Sequence, residues 1–479
     1  MALVPEPARD ARYPAREGNL VRPWIDGVPF YERLAEALRN ARSSVWAIVS
    51  FVQPAFVFPD GTHWWKALRD CRDRGVDVRV LFWRNPEFFS TKHVFLGTPD
   101  DRAALAAEGI TWAARWDQSP DEAHCHHQKA FVVDADEDSA IAFVGGMVLS
   151  ASTLARPGHH HGLQKHDAFV ELQGPVVVDA AHNFIQRWNF ARPHPDAPPW
   201  PDAEHADDLP WPSRVPPPAG TTVVQLARTA RPGLYPEGPT HTGAHGESVF
   251  NSRSGESAIR EQYLSAIDAA KKTIYLENQH PGEESVLAAL DDALERGVRV
   301  VLVVPGDPMG AIYQTRAAVA ALEREGRAHE HRYGPTFVRF ASLARHPGFT
   351  LAALARSDRR DGVWVHREIY THAKLCIVDA SWATIGSANL VDLSLCCDHT
   401  ELNAAFWSEA VAGSLLRQLI TEHTDEDAPT DDITALEHFA TRARASRASL
   451  DAGGPVLGGC YAIDPTRYAL DRPPTEVRG

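Results

Sequence analysis

One pattern occurs twice in this 479-residue chain and constrains its fold more than any other feature. His127-Gln128-Lys129 is followed by Asp134, and His372-Ala373-Lys374 by Asp379, so each copy reads His, one residue, Lys, four residues, Asp. Every member of the second copy lies 245 positions after its counterpart. Duplication at a fixed offset predicts two similar halves. Two imidazoles and two ammoniums supplied in duplicate predict one site assembled from both.

Residues 129–133 (KAFVV) and 374–378 (KLCIV) are short apolar runs with β-branched side chains, the pattern of buried strands. Alternate side chains of a strand share a face, so His and Lys two apart point the same way at each strand's start. A turn and a second apolar strand follow. They end at Gly145-Gly146 in one half and at Gly386-Ser387-Ala388-Asn389 in the other. Small residues there are expected to let backbone amides and short polar side chains approach an anion, which makes the site phosphate-sized.

At these residues the chain resembles the phospholipase D superfamily, whose signature is the His-x-Lys-x4-Asp pattern twice in one chain. The first copy, His126-His127-Gln128-Lys129 running to Phe143-Val144-Gly145-Gly146, is similar in wording to phospholipases D proper. So is the second, Tyr370-Thr371-His372-Ala373-Lys374 running to Ile385-Gly386-Ser387-Ala388-Asn389. Ile274-Tyr275-Leu276-Glu277-Asn278-Gln279, and Gly174-Pro175 after an acidic strand, extend the likeness across roughly residues 25 to 425. The resemblance implies two α/β lobes, each a mixed sheet flanked by helices, related by a pseudo-twofold with the active site between them.

It also implies roles. One His attacks phosphorus to give a phosphohistidine and the other serves as acid, then base; His127 is assigned the attack and His372 the proton. Lys129 and Lys374 hold the non-bridging oxygens, with Ser387 and Asn389 as added donors. Each ring needs its second nitrogen held by a carboxylate. Asp134 and Asp379 are candidates from the motif, although each follows its strand and reads more readily as a turn cap. Family likeness points further along each half, to Asp167 (KHDAFVELQGP) and Glu401 (HTELNAAF). Gly145, Gly146, Asn278, Gln279 and His126 complete the expected substrate-binding set. The amides Asn278 and Gln279, matched by Gln53 in the first half, either line the cleft or close a strand end.

Hydrophobic residues at 44% and charged ones at 23% are ordinary for a soluble globular protein. A net charge of −15 opposes long-range attraction to nucleic acid, so no nucleic-acid partner is expected. Met1 to Asn19 carries no apolar signal region and no run approaches the ~20 residues of a spanning helix. A cytoplasmic location is therefore expected, with export by another route left open. Six cysteines (Cys71, Cys125, Cys376, Cys396, Cys397, Cys460) lack Cys-x-x-Cys spacing and read as free thiols. No cofactor is expected. His124 and His126 beside Cys125, and the run His159-His160-His161, lack the spacing of zinc ligands, so no metal is expected and the triple His reads as a solvated loop.

Helical spacing is expected over residues 30–41, 64–74, 257–270 and 285–296, and strands over 45–51, 77–83, 273–277 and 299–304. Gly75 and Gly297 stop matching helices. The chain divides into an irregular head (1–24), a first lobe (25–191), a Pro-rich linker (192–220) pinned by Trp200 and Trp211, a second lobe (221–425) and a C-terminal extension (426–479) with a helix over 433–444. Aromatics after the first-half strands (Phe51, Phe56, Phe58, Trp64, Trp65, Trp83, Phe88, Phe89, Phe95) belong to the core or, if exposed, to a rim for transient membrane contact; the core is favoured.

The likeness frays at three places. Val148 stands where an acidic residue follows the Gly pair, Leu393 replaces an Arg before Ser394, and His280-Pro281 replaces two aromatics. These changes leave the core reaction but open the choice of substrate. The leading expectation is a phospholipase D-like phosphodiesterase or transphosphatidylase acting on phospholipids, with water or an alcohol as acceptor. The alternatives are a superfamily nuclease, a cardiolipin-synthase-like phosphatidyltransferase, and a non-catalytic binding protein that keeps the fold.

Overall fold

Ser44–Val49 (SVWAIV) is buried along its whole length, the mark of a strand covered on both faces. In the computed structural model the described residues are 3–85, 97–122, 124–160, 164–191, 207–235, 241–250, 253–331, 333–396 and 398–475. Phe88, Phe89, Phe95, His161, Trp200 and Cys397 lie outside them.

The first half runs β1 (Arg16–Ile25), α1 (Gly27–Asn40), β2 (Ser44–Val49), α2 (Trp64–Asp73), β3 (Asp77–Arg84), α3 (Pro99–Ala107), β4 (Ala114–Gln118), β5 (Ala130–Val133), β6 (Ile141–Gly145), β7 (Ala168–Gln173) and α4 (Val177–Phe190). The second opens with β8 (Thr222–Ala230), β9 (Glu256–Ser257), α5 (Ala258–Ala269), β10 (Thr273–Asn278), α6 (Glu284–Glu295), β11 (Arg299–Val303), α7 (Gly310–Arg324) and α8 (Gly334–Leu343). It continues with β12 (Phe349–Arg360), β13 (Val363–Ile369), β14 (Lys374–Val378), β15 (Trp382–Gly386), α9 (Asp392–Leu395), β16 (Glu401–Trp407), α10 (Glu409–Thr424), α11 (Asp432–Asp451) and β17 (Cys460–Ala462).

Strand pairing makes the duplication physical. The first sheet is ordered β4-β3-β2-β5-β6-β7-β1, parallel among β4, β3 and β2 and antiparallel thereafter. The second is ordered β12-β11-β10-β14-β15-β16-β8, with the same senses. These are two mixed sheets of one design. α1 and α2 cover the outer face of the first, and α5, α6 and α8 that of the second. The inner faces share one core with α4, α10 and α11, where Ala130 and Val132 of β5 meet Leu375 and Ile377 of β14. Phe131 and Val133 turn to the outer core instead, as period-two alternation requires.

β1 ties the sheets together: Leu20 to Ile25 pair with β7, and Arg16 and Asn19 with β8. The head is therefore not irregular throughout. Pro23 argues against a strand, but it sits on the edge of the first sheet, where a missing amide costs no ladder bond. In the C-terminal extension β17 pairs with β12, Tyr461 opposite Ala353, so residues 460–462 extend the second sheet. In the linker, Trp211 stacks on His182 and His241 at 4.7 and 4.2 Å between ring centres. Gly75 and Gly297 follow α2 and α6 with φ of +84° and +89°, a backbone region open to glycine.

Asp134 and Asp379 occupy equivalent places away from any substrate. Asp134 Oδ1 accepts the amides of Arg42 and Ser43 at 2.8 Å and of Ser44 at 3.3 Å. Asp379 accepts those of Lys271, Lys272 and Thr273 at 2.8–2.9 Å. Each carboxylate ties its own turn to the start of β2 or β10, which corrects their inclusion among candidate catalytic groups. Asp134→Ala and Asp379→Ala should each lower stability by about 1–3 kcal/mol, the cost of leaving such amides without a charged acceptor. Urea unfolding measures that loss, and turnover per folded molecule should stay within a few-fold of the parent.

Candidate active site

Two short backbone pairings cross between the lobes. The His127 amide donates to the Thr400 carbonyl at 2.9 Å, and the Thr400 amide to the Cys125 carbonyl at 3.0 Å. On the other side the His372 amide donates to the His166 carbonyl at 2.8 Å, and the His166 amide to the Tyr370 carbonyl at 3.0 Å. Each motif is thus zipped to the other lobe, one residue ahead of an acid.

The acids meet the rings. His127 Nδ1 lies 3.0 Å from both oxygens of Glu401, and His372 Nδ1 lies 2.5 Å from Asp167 Oδ2. Glu401 opens β16 of the second lobe and Asp167 precedes β7 of the first. The carboxylates are exchanged between lobes. In each ring Nε2 has no hydrogen-bond partner among the described residues. Glu401 also accepts from Ser387 Oγ at 2.6 Å and Ser394 Oγ at 2.7 Å. Burial pushes its carboxyl up, but the His127 ring and Lys129 outweigh that and hold it below the ordinary range. Asp167 has fewer donors, and burial, opposed by Lys374, pushes it up to about 7.

The rings stay neutral. Burial lowers His127 to about 4 and His372 well below the ordinary imidazole value, with the neighbouring lysines acting in the same direction. Lys129 Nζ donates to the His127 carbonyl at 2.6 Å, and Lys374 Nζ to the His372 carbonyl and to Gln279 Oε1, the latter at 3.0 Å. Burial, opposed by Glu401, lowers Lys129 to about 8; burial, opposed by Asp167, lowers Lys374 to about 7. Two crowded ammoniums in a low-dielectric pocket gain most from a divalent oxyanion.

Small residues after β6 and β15 serve another purpose than expected. The Gly145 and Gly146 amides donate to the Lys129 and Ala168 carbonyls, so they are not offered to an anion. A Cβ on Gly146 would stand 2.6 Å from Asp167 Oδ1, and one on Gly145 2.5 Å from the Phe169 ring. Glycine there makes room for the acid that holds His372. Ser387 likewise supports Glu401 rather than facing a phosphate. Asn278 accepts from the Leu390 and His280 amides and closes the strand end, and Gln53 does the same for Ala151. Gln279 alone of these amides reaches a motif lysine. Asn389 is buried with Oδ1 lacking a hydrogen-bond partner.

His126 is not a lining residue. Its side chain turns inward, to Thr400 Oγ1 at 2.7 Å and toward Asp117 at 3.4 Å, because it alternates with His127 along an extended segment. The triple-His loop is also not simply solvated. His159 is 4% exposed and faces Asp26, while His160 is exposed.

Sequence reasoning passed over several neighbours. Phe51 sits edge-on to His127 at 6.1 Å between ring centres and takes φ of 57°, a strained conformation for a bulky residue. His280 feels the charges of Lys374 and His127, and burial first, then those charges, lowers it to about 3. His399 lies 6.3 Å from the His127 ring, and Lys165 stands 5.8 Å over the Tyr370 ring. The departure at His280-Pro281 was the available signal for His280. The other core aromatics Phe56, Phe58, Trp64, Trp65 and Trp83 are buried.

The family described as "Cardiolipin synthase, PLD-like domain" matches residues 263–422. Phospholipase D alpha 1 of Carica papaya is 26% identical over 357 residues, covering 56% of this chain and 44% of that protein. Cardiolipin synthase B of Salmonella typhimurium (strain LT2) is 24% identical over 399 residues, covering 79% of this chain and 75% of that protein. Residues 263–422 thus share that family's PLD-like domain, and the chain as a whole is similar to proteins of the phospholipase D superfamily.

Its likeness to the superfamily extends to shape. The crystal structure of phosphatidylserine synthase from Haemophilus influenzae Rd KW20 superposes with a TM-score of 0.53 at 14% identity, covering 86% of each chain. That places the two-lobed phospholipase D fold on this chain. The chain spans less than half the length of the plant phospholipases D that it matches. Among the described residues no helix is long and apolar enough to cross a membrane.

The lysines set a pH dependence for anion capture at this site. As pH rises through about 7 for Lys374 and about 8 for Lys129, each ammonium loses its proton and its pull on an oxyanion. Sulfate, whose own charge is constant in this range, should bind about tenfold or more weakly at about pH 9 than at about pH 6, the worth of one charge-assisted hydrogen bond. Isothermal calorimetry across that range checks it.

Proposed function

We propose that the protein transfers the phosphatidyl group of a phospholipid to water or an alcohol through a phosphohistidine. The observation that carries this reading is the pair of buried imidazoles, each held at Nδ1 by a carboxyl group from the opposite lobe. That arrangement directs Nε2 of each ring into the site: on His127, whose Nδ1–H faces the ionised Glu401, it is a lone pair for attack, and on His372, whose Nδ1 accepts from Asp167 when that carboxyl is protonated, it carries the proton to be delivered.

His127 Nε2 attacks phosphorus, forming the N–P bond as the P–O bond to the headgroup breaks. Glu401, held ionised by the His127 ring and Lys129 and bonded by two serine hydroxyls, steadies the positive charge that the ring acquires. His372 delivers to the departing alkoxide the proton that its Nε2 carries when Asp167, pushed up to about 7 by burial, holds the proton shared with Nδ1. The same ring then takes a proton from the incoming water or alcohol, whose oxygen displaces His127 and restores the site. Lys129 and Lys374 hold the non-bridging oxygens, where charge grows in both steps. Glu401 and Asp167 act through the rings and are positioning residues.

A lipid substrate is favoured by the activities for which the similar phospholipase D and cardiolipin synthase are named, and by a net charge of −15 that works against a nucleic-acid polyanion. The match to the cardiolipin-synthase family supports a second form of the same chemistry, in which the acceptor is the hydroxyl of another lipid.

Phosphatidylcholine or phosphatidylglycerol in mixed micelles should yield phosphatidic acid in water and phosphatidylethanol when ethanol is added; cardiolipin from phosphatidylglycerol alone would identify the second form. Cleavage of single-stranded DNA with no change in any lipid would remove the lipid reading. His127→Asn and His372→Asn should each lose at least about a thousandfold in kcat with unchanged circular dichroism, more than the ~10² to 10³ typical of one lost oxyanion donor. A variant that keeps near-parental turnover would exclude that ring from the reaction.

A further inference from the structure

Behind the His372–Asp167 pair lies a second group of ionisable side chains that the reaction does not use. Asp26 precedes α1, His159 and His166 lie in the segment before β7, and Glu422 lies on α10 of the other lobe. One ligand atom from each, Asp and Glu oxygens and His nitrogens, falls within 4.8 Å of the others.

Their hydrogen bonding is incomplete in a particular way. His159 has neither ring nitrogen in a hydrogen bond although its side chain is 2% exposed. Its Nε2 lies 2.9 Å from Asp26 Oδ2, an ion-pair distance, without an aligned hydrogen bond between them. Glu422 faces the Gly158 amide, but neither of its buried oxygens makes an aligned bond. Leaving such groups unpaired in the interior is costly. A cation at their centre would satisfy them together.

The spacing fits one. Four ligands at the ~2.0–2.1 Å typical of zinc bonded to nitrogen or oxygen stand roughly 3.3 Å apart at tetrahedral corners. Glu422 Oε1 is 3.7 Å from both His159 Nε2 and His166 Nδ1, and Asp26 faces the two rings with one oxygen each, Oδ2 at 2.9 Å from His159 Nε2 and Oδ1 at 3.0 Å from His166 Nδ1, so that either oxygen is placed to serve as its single ligand atom. The outer shell is built as well. His166 Nε2 meets Glu277 Oε2 at 2.8 Å, and Glu277 is fixed in turn by Tyr275 Oη at 2.6 Å and His423 Nε2 at 2.9 Å. A carboxylate on the far nitrogen of a histidine is the usual support of a metal ligand. The overlapping group His166, Glu277 and His423 is already satisfied by these bonds and serves as that support.

We propose that Asp26, His159, His166 and Glu422 bind one divalent transition-metal ion of the zinc class, which fastens the first lobe to α10 of the second. This revises the expectation of a metal-free chain; the ligands escape a search for local spacing because they are gathered from residues 26 to 422. On binding, His166 Nδ1 gives up its shared proton to solvent and offers a lone pair. The ion does no chemistry on phosphorus; it stiffens the segment whose next residue, Asp167, holds His372.

The test uses full-length protein without a polyhistidine tag, stripped with a chelator and titrated with Zn²⁺ alone. The parent should take up one equivalent and gain several degrees in Tm. His159→Ala and Glu422→Gln should bind at least about a hundredfold more weakly and lose that gain, while the His127→Asn/His372→Asn double variant should bind as the parent does. Zinc-edge X-ray absorption of the loaded parent, which needs no variant, should show an all nitrogen and oxygen shell with two imidazoles. Any of four results overturns the proposal: no uptake at about 0.1 mM Zn²⁺, unchanged binding by folded His159→Ala and Glu422→Gln, loss of binding only in the double variant, or sulfur in the shell.

Discussion

Everything at the centre of this molecule depends on the exchange of carboxylates across the lobe boundary. His127 and Glu401 come from different sheets, as do His372 and Asp167, and each contact is set by a backbone pairing one residue away. A ring held at Nδ1 has a defined tautomer, orientation and basicity, and neither lobe supplies that alone. The shared core and the bridging β1 hold the lobes together, so packing away from the reaction supports its geometry.

The two dyads are related in design but not in electrostatics. Glu401 has two serine hydroxyls on it and stays ionised; Asp167 has a backbone amide and is pushed toward neutral pH by burial. That inequality supports giving the rings different duties within a nearly symmetric frame. Departures from strict symmetry are therefore informative, and they are small polar residues rather than changes in fold.

The duplication itself was the most legible feature, because a repeat of period 245 with matched strand and helix punctuation leaves few architectures. α1, α2, α5, α6, β2, β3, β10 and β11 fall within three residues of the pattern reading, since their apolar spacing is strong. Three kinds of information were hidden. β1 reads as irregular because it carries a proline that only an edge position tolerates. The real use of Gly146 and Ser387 depends on Asp167 and Glu401 filling the space beside them, which spacing along one chain does not reveal. His159 and Glu422 meet only in three dimensions, so local composition made the former look like a surface tract. Conversely, Asp134 and Asp379 are conspicuous in the motif for what they do to a turn, and the resemblance located the partners Asp167 and Glu401 that the motif omits.

The crossing of acids has a mechanical corollary. In many two-lobed enzymes a clamshell motion admits the substrate, and the halves part like jaws around a hinge. Here any such parting would strip both imidazoles of their supports at one stroke, and β1, stitched into both sheets, would resist it. On the lipid reading proposed above, the substrate's phosphate has to reach the two rings with the halves locked together throughout the cycle.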